Sequence, residues 1–145
     1  MTTPFNFLRM RCGLSQREAA DFLESPLDTV KTWCAGRHAP RQSVIDEMRA
    51  LYASIEHAAD NALAAIRSRI KEHGRPRRLE LSVATDDHEA QQLGLPCVGA
   101  HQALIGLIAA RLDVPVTIVP RGSTVATASA EELRQQADWL LRGPP

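Results

Sequence analysis

Cys97 and His101 stand four residues apart, one helical turn, with Pro96 placing Cys97 at a helix start. A thiolate is stabilised at such an end, and a nearby imidazole is the usual base for a cysteine nucleophile. No third group at recognisable spacing would orient the imidazole, so Cys97 reads as a small core residue. Cys34 and His38 repeat the spacing, with Cys12 upstream. Zinc asks for four ligands, and a buried cysteine beside an exposed histidine is the simpler reading. Asp86, Asp87 and His88 can ligate a metal, but helix capping accounts for them. No glycine-rich phosphate loop is present. The expectation is a protein that is not an enzyme and needs no metal or cofactor.

The remaining chemistry is charge. The 145 residues carry 17 basic and 17 acidic side chains, a formal net charge of zero. The distribution is uneven. Residues 1–60 hold seven basic and eight acidic groups, residues 61–78 six against one, and residues 79–145 four against eight. Partners respond to the local field rather than to the total. A basic stretch, Arg67 to Arg78, therefore separates a balanced head from an acidic tail, with a break at Gly74-Arg75-Pro76. It can touch flanking phosphates or be a solvated helix end.

The elements follow from pattern. Pro4 to Cys12 predicts a first short helix, with Phe5, Leu8 and Cys12 on one face and Gly13 as its stop. Ser15 and Glu18 form an S-x-x-E capping box that starts a second helix near Gln16, with Ala19, Ala20, Phe22 and Leu23 as its apolar positions. Ser25 suits the N-cap of a third helix, with Pro26 in its first turn. That helix carries Leu27, Val30 and Trp33 inward and stops before Gly36. Asp28, Thr29, Lys31 and Thr32 then face outward.

Gly13 to Pro40 resembles the helix-turn-helix of Cro/phage-repressor (XRE-like) DNA-binding domains, on Gln16, Ala20, Val30 and Trp33-x-x-Gly36. The resemblance covers roughly residues 5–60. It implies that Ala20 is small because two helices cross there, and that Val30 anchors the recognition helix. One departure stands out: the family often has an acidic residue where this chain has Cys34. The implied activity is binding of a double-stranded DNA operator, with the helix over 26–34 in the major groove. The DNA-binding residues are then Gln16, Arg17, Leu27, Asp28, Thr29, Lys31, Thr32, Arg37, His38 and Arg41. Lys31 and Thr32 suit base edges; Arg17, Arg37 and Arg41 suit phosphate. Residues 9–41 hold six basic groups against four acidic ones. So small an excess implies modest non-specific affinity and a dimer that doubles the contacts.

From Arg41 to His73 there is neither glycine nor proline. Val44, Met48, Leu51, Ile55, Ala58, Ala62, Ile66 and Ile70 form one apolar stripe, so one long helix, or two nearly in line, is expected. A single such helix is about 50 Å long, and part of the stripe should meet the tail or another chain. The tail should hold strands at 78–83 and 114–119, helices at 85–93 and 97–112 with Leu104, Ile105, Ile108 and Leu112 inward, and a terminal helix over 130–141. Gly143 to Pro145 should fray. Pro115 suits an edge position.

The fold class expected is mainly α with a small α+β C-terminal part. It comprises a helix-turn-helix domain (1–60), a connecting helix and basic linker (61–76) and a two-stranded dimerisation domain (77–145). This layout resembles compact phage and plasmid regulators, including the anti-CRISPR-associated autoregulators. It implies a homodimeric repressor at an inverted repeat in its own promoter. An antitoxin whose C-terminal part binds a protein partner is the alternative, and a small enzyme using Cys97 and His101 a more distant one. Odd cysteine number, the absence of C-x-x-C, no signal-peptide pattern at Met1 and no membrane-length apolar run lead to a cytoplasmic expectation.

Overall fold

A computed structural model describes residues 2–121. The terminal helix expected over 130–141 and the residues after it lie outside that range. The fold is mainly helical with a small parallel sheet. It divides into two compact units, Met1–Ile55 and one that begins at Glu56.

The first unit opens with α1 (Pro4–Arg11), α2 (Gln16–Phe22) and α3 (Leu27–Ala35). Proline sits in the first turn of α1, where its missing N–H costs nothing. Thr3 caps that helix by accepting from the Asn6 amide. The Ser15–Glu18 capping box is formed in both directions, at 3.1 and 2.9 Å. Phe5 packs edge-on against Trp33, centroids 5.4 Å apart. The Thr3 hydroxyl donates to the Trp33 carbonyl at 2.9 Å and ties α1 to the end of α3.

The three helices end alike. Each is followed by a residue at positive φ: Gly13, Glu24 and Gly36. The next amide bonds back to the last turn: Leu14 to Arg9, Ser25 to Ala20 and Arg37 to Thr32. This is the Schellman closure, and glycine suits it because it lacks a Cβ. Glu24 adopts it without that freedom.

Ser25 is not the N-cap of α3. Its hydroxyl donates to the Leu23 carbonyl, inside the preceding turn. Pro26, at φ −60° and ψ 143°, occupies the N-cap, and α3 has no side-chain cap. Leu27 is half-buried rather than inward-facing.

The long stretch is one helix, α4 (Gln42–His73). Met48, Leu51 and Ile55 are buried in its first half, and Ala59, Ala62, Leu63 and Ile66 in its second. Ala59, not Ala58, continues the stripe, because 3.6 residues per turn drifts around a long helix. Cys12 donates its S–H to the Met48 carbonyl, and burial pushes the thiol up to about 11.

The second unit continues with β1 (Leu79–Val83), α5 (Asp87–Gln92), α6 (Val98–Arg111) and β2 (Val116–Pro120). The strands pair in parallel, Leu79 opposite Val116 and Val83 opposite Pro120. Parallel pairing requires a crossover, and α5 with α6 provides it. Asp86 caps α5 by accepting from Glu89. Leu81, Leu104, Ile105 and Ile108 form the core, while Leu112 is only half-buried. Among the described residues no helix is long and apolar enough to cross a membrane.

Two residues in the same left-handed region should respond oppositely. Gly36→Ala adds a Cβ 3.2 Å from Thr3 Cγ2 at φ +80° and should lower stability by about 1–2 kcal/mol. Glu24→Gly, at φ 52° and exposed, should raise it by up to about 1 kcal/mol. Denaturant unfolding of both variants checks the pair.

Candidate nucleic-acid interface

α3 has two distinct faces. Val30, Trp33 and Cys34 are buried, Val30 completely. Ala19 and Ala20 of α2 are buried as well. Small side chains there let α2 and α3 approach closely, which a leucine at either position would prevent. With one face of α3 filled, the other is determined. Asp28, Lys31 and Ala35 are exposed, three and four residues apart, along one line of the helix surface.

Thr29 and Thr32 are half-buried at the margins of that line. The Thr32 hydroxyl donates to the Thr29 carbonyl at 2.6 Å, so its proton is committed within the helix and its lone pairs remain to accept. Asp28 lies in the first turn, where a carboxylate complements the helix dipole. Arg37, His38 and Arg41 are exposed in the segment that joins α3 to α4. Arg17 is exposed and Gln16 half-buried at the start of α2. There the Glu18 carboxylate already accepts from the Ser15 amide. It puts negative charge at the helix end, so an anion near α2 must rely on the Arg17 and Gln16 side chains rather than on free amides.

Two basic residues serve the fold instead. Arg9 donates to the Leu14 carbonyl and, from two nitrogens, to Asn6 Oδ1. Arg11 lies over the Tyr52 ring, 5.8 Å from its centroid, and reaches the Tyr52 hydroxyl at 3.4 Å. Ala35 belongs to the exposed line and is absent from the residues expected from sequence. Its spacing from Asp28 and Lys31 was the available signal.

Cys97 and His101 are brought together in a different sense from a catalytic pair. Cys97 is the N-cap of α6 and is buried; His101 is fully buried. His101 Nδ1 accepts from the Ala84 amide at 2.8 Å. The lone pair a base would need is thus occupied, and the neutral ring carries its proton on Nε2, which has no hydrogen-bond partner among the described residues. Burial lowers the imidazole pKa to about 4, with Arg121 adding to the shift and Glu89 opposing it. Cys34 is buried while His38 is exposed. Among the described residues no group of three or more histidine, cysteine or acidic side chains is placed to hold a metal.

Comparison with protein-family models finds no match, and comparison with curated proteins finds none.

His101 should make stability depend on pH. Its folded pKa lies below the ordinary value of 6.5, so its contribution is complete above pH 6.5 and is lost as the pH falls toward 4. About 2 kcal/mol should be gone at pH 5. His101→Asn, which retains an acceptor for Ala84 but does not titrate, should flatten that part of the profile. Equal slopes for the two proteins between pH 7 and 5 would contradict the assignment.

Proposed function

We propose that the protein is a sequence-specific DNA-binding transcriptional regulator. It acts as a homodimeric repressor whose α1–α3 segment is a Cro/phage-repressor-like helix-turn-helix. The observation that carries this reading is the division of α3: Val30, Trp33 and Cys34 buried, with Asp28, Lys31 and Ala35 exposed in one line. A helix held by one face and bare on the other, at the surface of a small bundle, is what major-groove reading requires.

The roles follow from side-chain chemistry. Lys31 donates to guanine O6 or N7, and Thr32 accepts, for example from an exocyclic amine. Ala35 suits contact with a thymine methyl. Asp28 accepts from cytosine N4 or complements the helix start. Arg17, Arg37, His38 and Arg41 are exposed and suit phosphate, and Gln16 and Leu27, both half-buried, complete the set. Phosphate contacts set register, and base contacts set sequence. Two copies related by a two-fold axis read half-sites about 34–36 Å apart in an inverted repeat. Occupancy of such a site excludes polymerase. With six basic groups against four acidic ones over residues 9–41, non-specific affinity is modest, and the dimer doubles the contacts.

Lys31→Ala combined with Thr32→Ala should weaken binding to a duplex from upstream of the protein's own gene at least tenfold, with circular dichroism unchanged. Fluorescence anisotropy reads the loss, and unchanged affinity would remove α3 from the reading. Arg37→Ala should instead weaken all duplexes alike and reduce the salt slope by about one.

A further inference from the structure

The sheet of the second unit has two strands and therefore two outer edges, and the edges differ. Two bonds fix where the backbone groups point. The Leu79 amide donates to the Pro115 carbonyl, and the Arg121 amide to the Val83 carbonyl. In a ladder these groups alternate along each strand. Residues 115, 117, 119 and 121 therefore turn theirs to β1, while Val116, Ile118 and Pro120 turn theirs outward. On β1 the outward groups belong to Glu80, Ser82 and Ala84. The Ala84 amide is spent on His101 Nδ1 at 2.8 Å, so α6 closes that end of the β1 edge. Glu80 puts an exposed carboxylate at the other end.

The β2 edge has neither protection. Among the described residues no further strand pairs with it. Ile118 stands at its middle and shares a face with Leu81, its partner in register. Leu81 is 2% exposed and Ile118 48%. α6 packs on β1, and the apolar face of β2 is left partly bare. An edge strand with free N–H and C=O groups is a template for another strand, and charges or bulges are the usual defence. Residues 114–120 hold no charged side chain, and the register of β2 runs without a bulge.

We infer that β2 pairs antiparallel with β2 of a second copy of this chain, centred on Ile118, to form a four-stranded sheet in the order β1-β2-β2-β1. The inference rests on the homodimer of the proposed function and supplies its surface. Two features select a second copy as the occupant. First, a two-fold axis perpendicular to the sheet keeps each side chain on its own face, so the residue at the axis meets itself. With Ile118 there, its outward N–H and C=O meet the C=O and N–H of the same residue. That is the two-bond pair of an antiparallel ladder, with Cα atoms about 5.5 Å apart. The two exposed isoleucines then cover each other. Second, an uncharged edge does not repel its own copy and offers no charge by which to select a different protein.

Sedimentation equilibrium of the full chain at micromolar concentration tests the pairing. The unaltered chain should be a dimer. Ile118→Lys and Ile118→Glu each set like charges against themselves across the axis, and each should raise the dimer dissociation constant by about tenfold or more. An equimolar mixture of the two variants should restore the dimer, because a mixed pair places opposite charges together. Ala64→Lys adds a charge at an exposed position of α4 and should leave the dimer intact. Thermal melts check that the variants are folded. A dimer indifferent to both Ile118 variants would overturn this surface and leave the homodimer standing. Weakening without rescue in the mixture would overturn the self-pairing of Ile118. A monomeric unaltered chain would overturn the inference and the homodimer together, leaving the edge to another protein or to another segment of this chain.

Discussion

Burial of Trp33 organises the first unit. Its ring packs against Phe5, and its carbonyl receives the Thr3 hydroxyl just before Gly36 turns the chain. An aromatic side chain buries about 150–250 Å² and contributes more than any single hydrogen bond here. With Trp33 inward, helical spacing puts Val30 and Cys34 inward as well, and α3 has no remaining rotational freedom. The exposure of Asp28, Lys31 and Ala35 follows from that packing rather than from any property of those residues. The small residues Ala19 and Ala20 permit the close approach of α2, and the turn at Glu24 sets where α3 begins.

Electrostatics adds a second constraint. Zero net charge across the chain conceals a basic segment from Arg67 to Arg78, but the cations are not interchangeable. Arg9 is held in place by Asn6 and the Leu14 carbonyl, and Arg11 lies over the Tyr52 ring, contacts that fix their positions without cancelling their charge. Arg75 is absorbed by Asp113. Counting basic residues along the sequence therefore does not say which of them are already held by the fold.

The local code was readable where one side chain acts on a nearby backbone group. Ser15 and Glu18 announced their reciprocal cap, Thr85 or Asp86 a helix start that proves to be Asp86's, and the run to His73 without glycine or proline one helix or two nearly in line, which proves to be one. Alternation around Leu81 announced a strand, but the parallel direction of its partner depends on a crossover that no local pattern encodes. The turn at Glu24 was hidden because its sequence lacks the glycine that marks the other two. Ser25 looked like a cap and is instead spent on Leu23. Lys31 was legible as a surface candidate from helical spacing, whereas the use of Arg9 within the fold required three dimensions. Since Cys97 reads as a small core residue, the spacing of Cys97 and His101 left His101 without an assigned role. Its burial and its bond to Ala84 come from contacts 17 residues away in sequence.

Selection of duplexes from a random library by the intact protein tests the central claim most directly. The account predicts an enriched inverted repeat, with half-site centres about one helical turn apart and enrichment lost at the contacted bases in Lys31→Ala. A pool that stays random at low salt, where phosphate contacts are strongest, would contradict it.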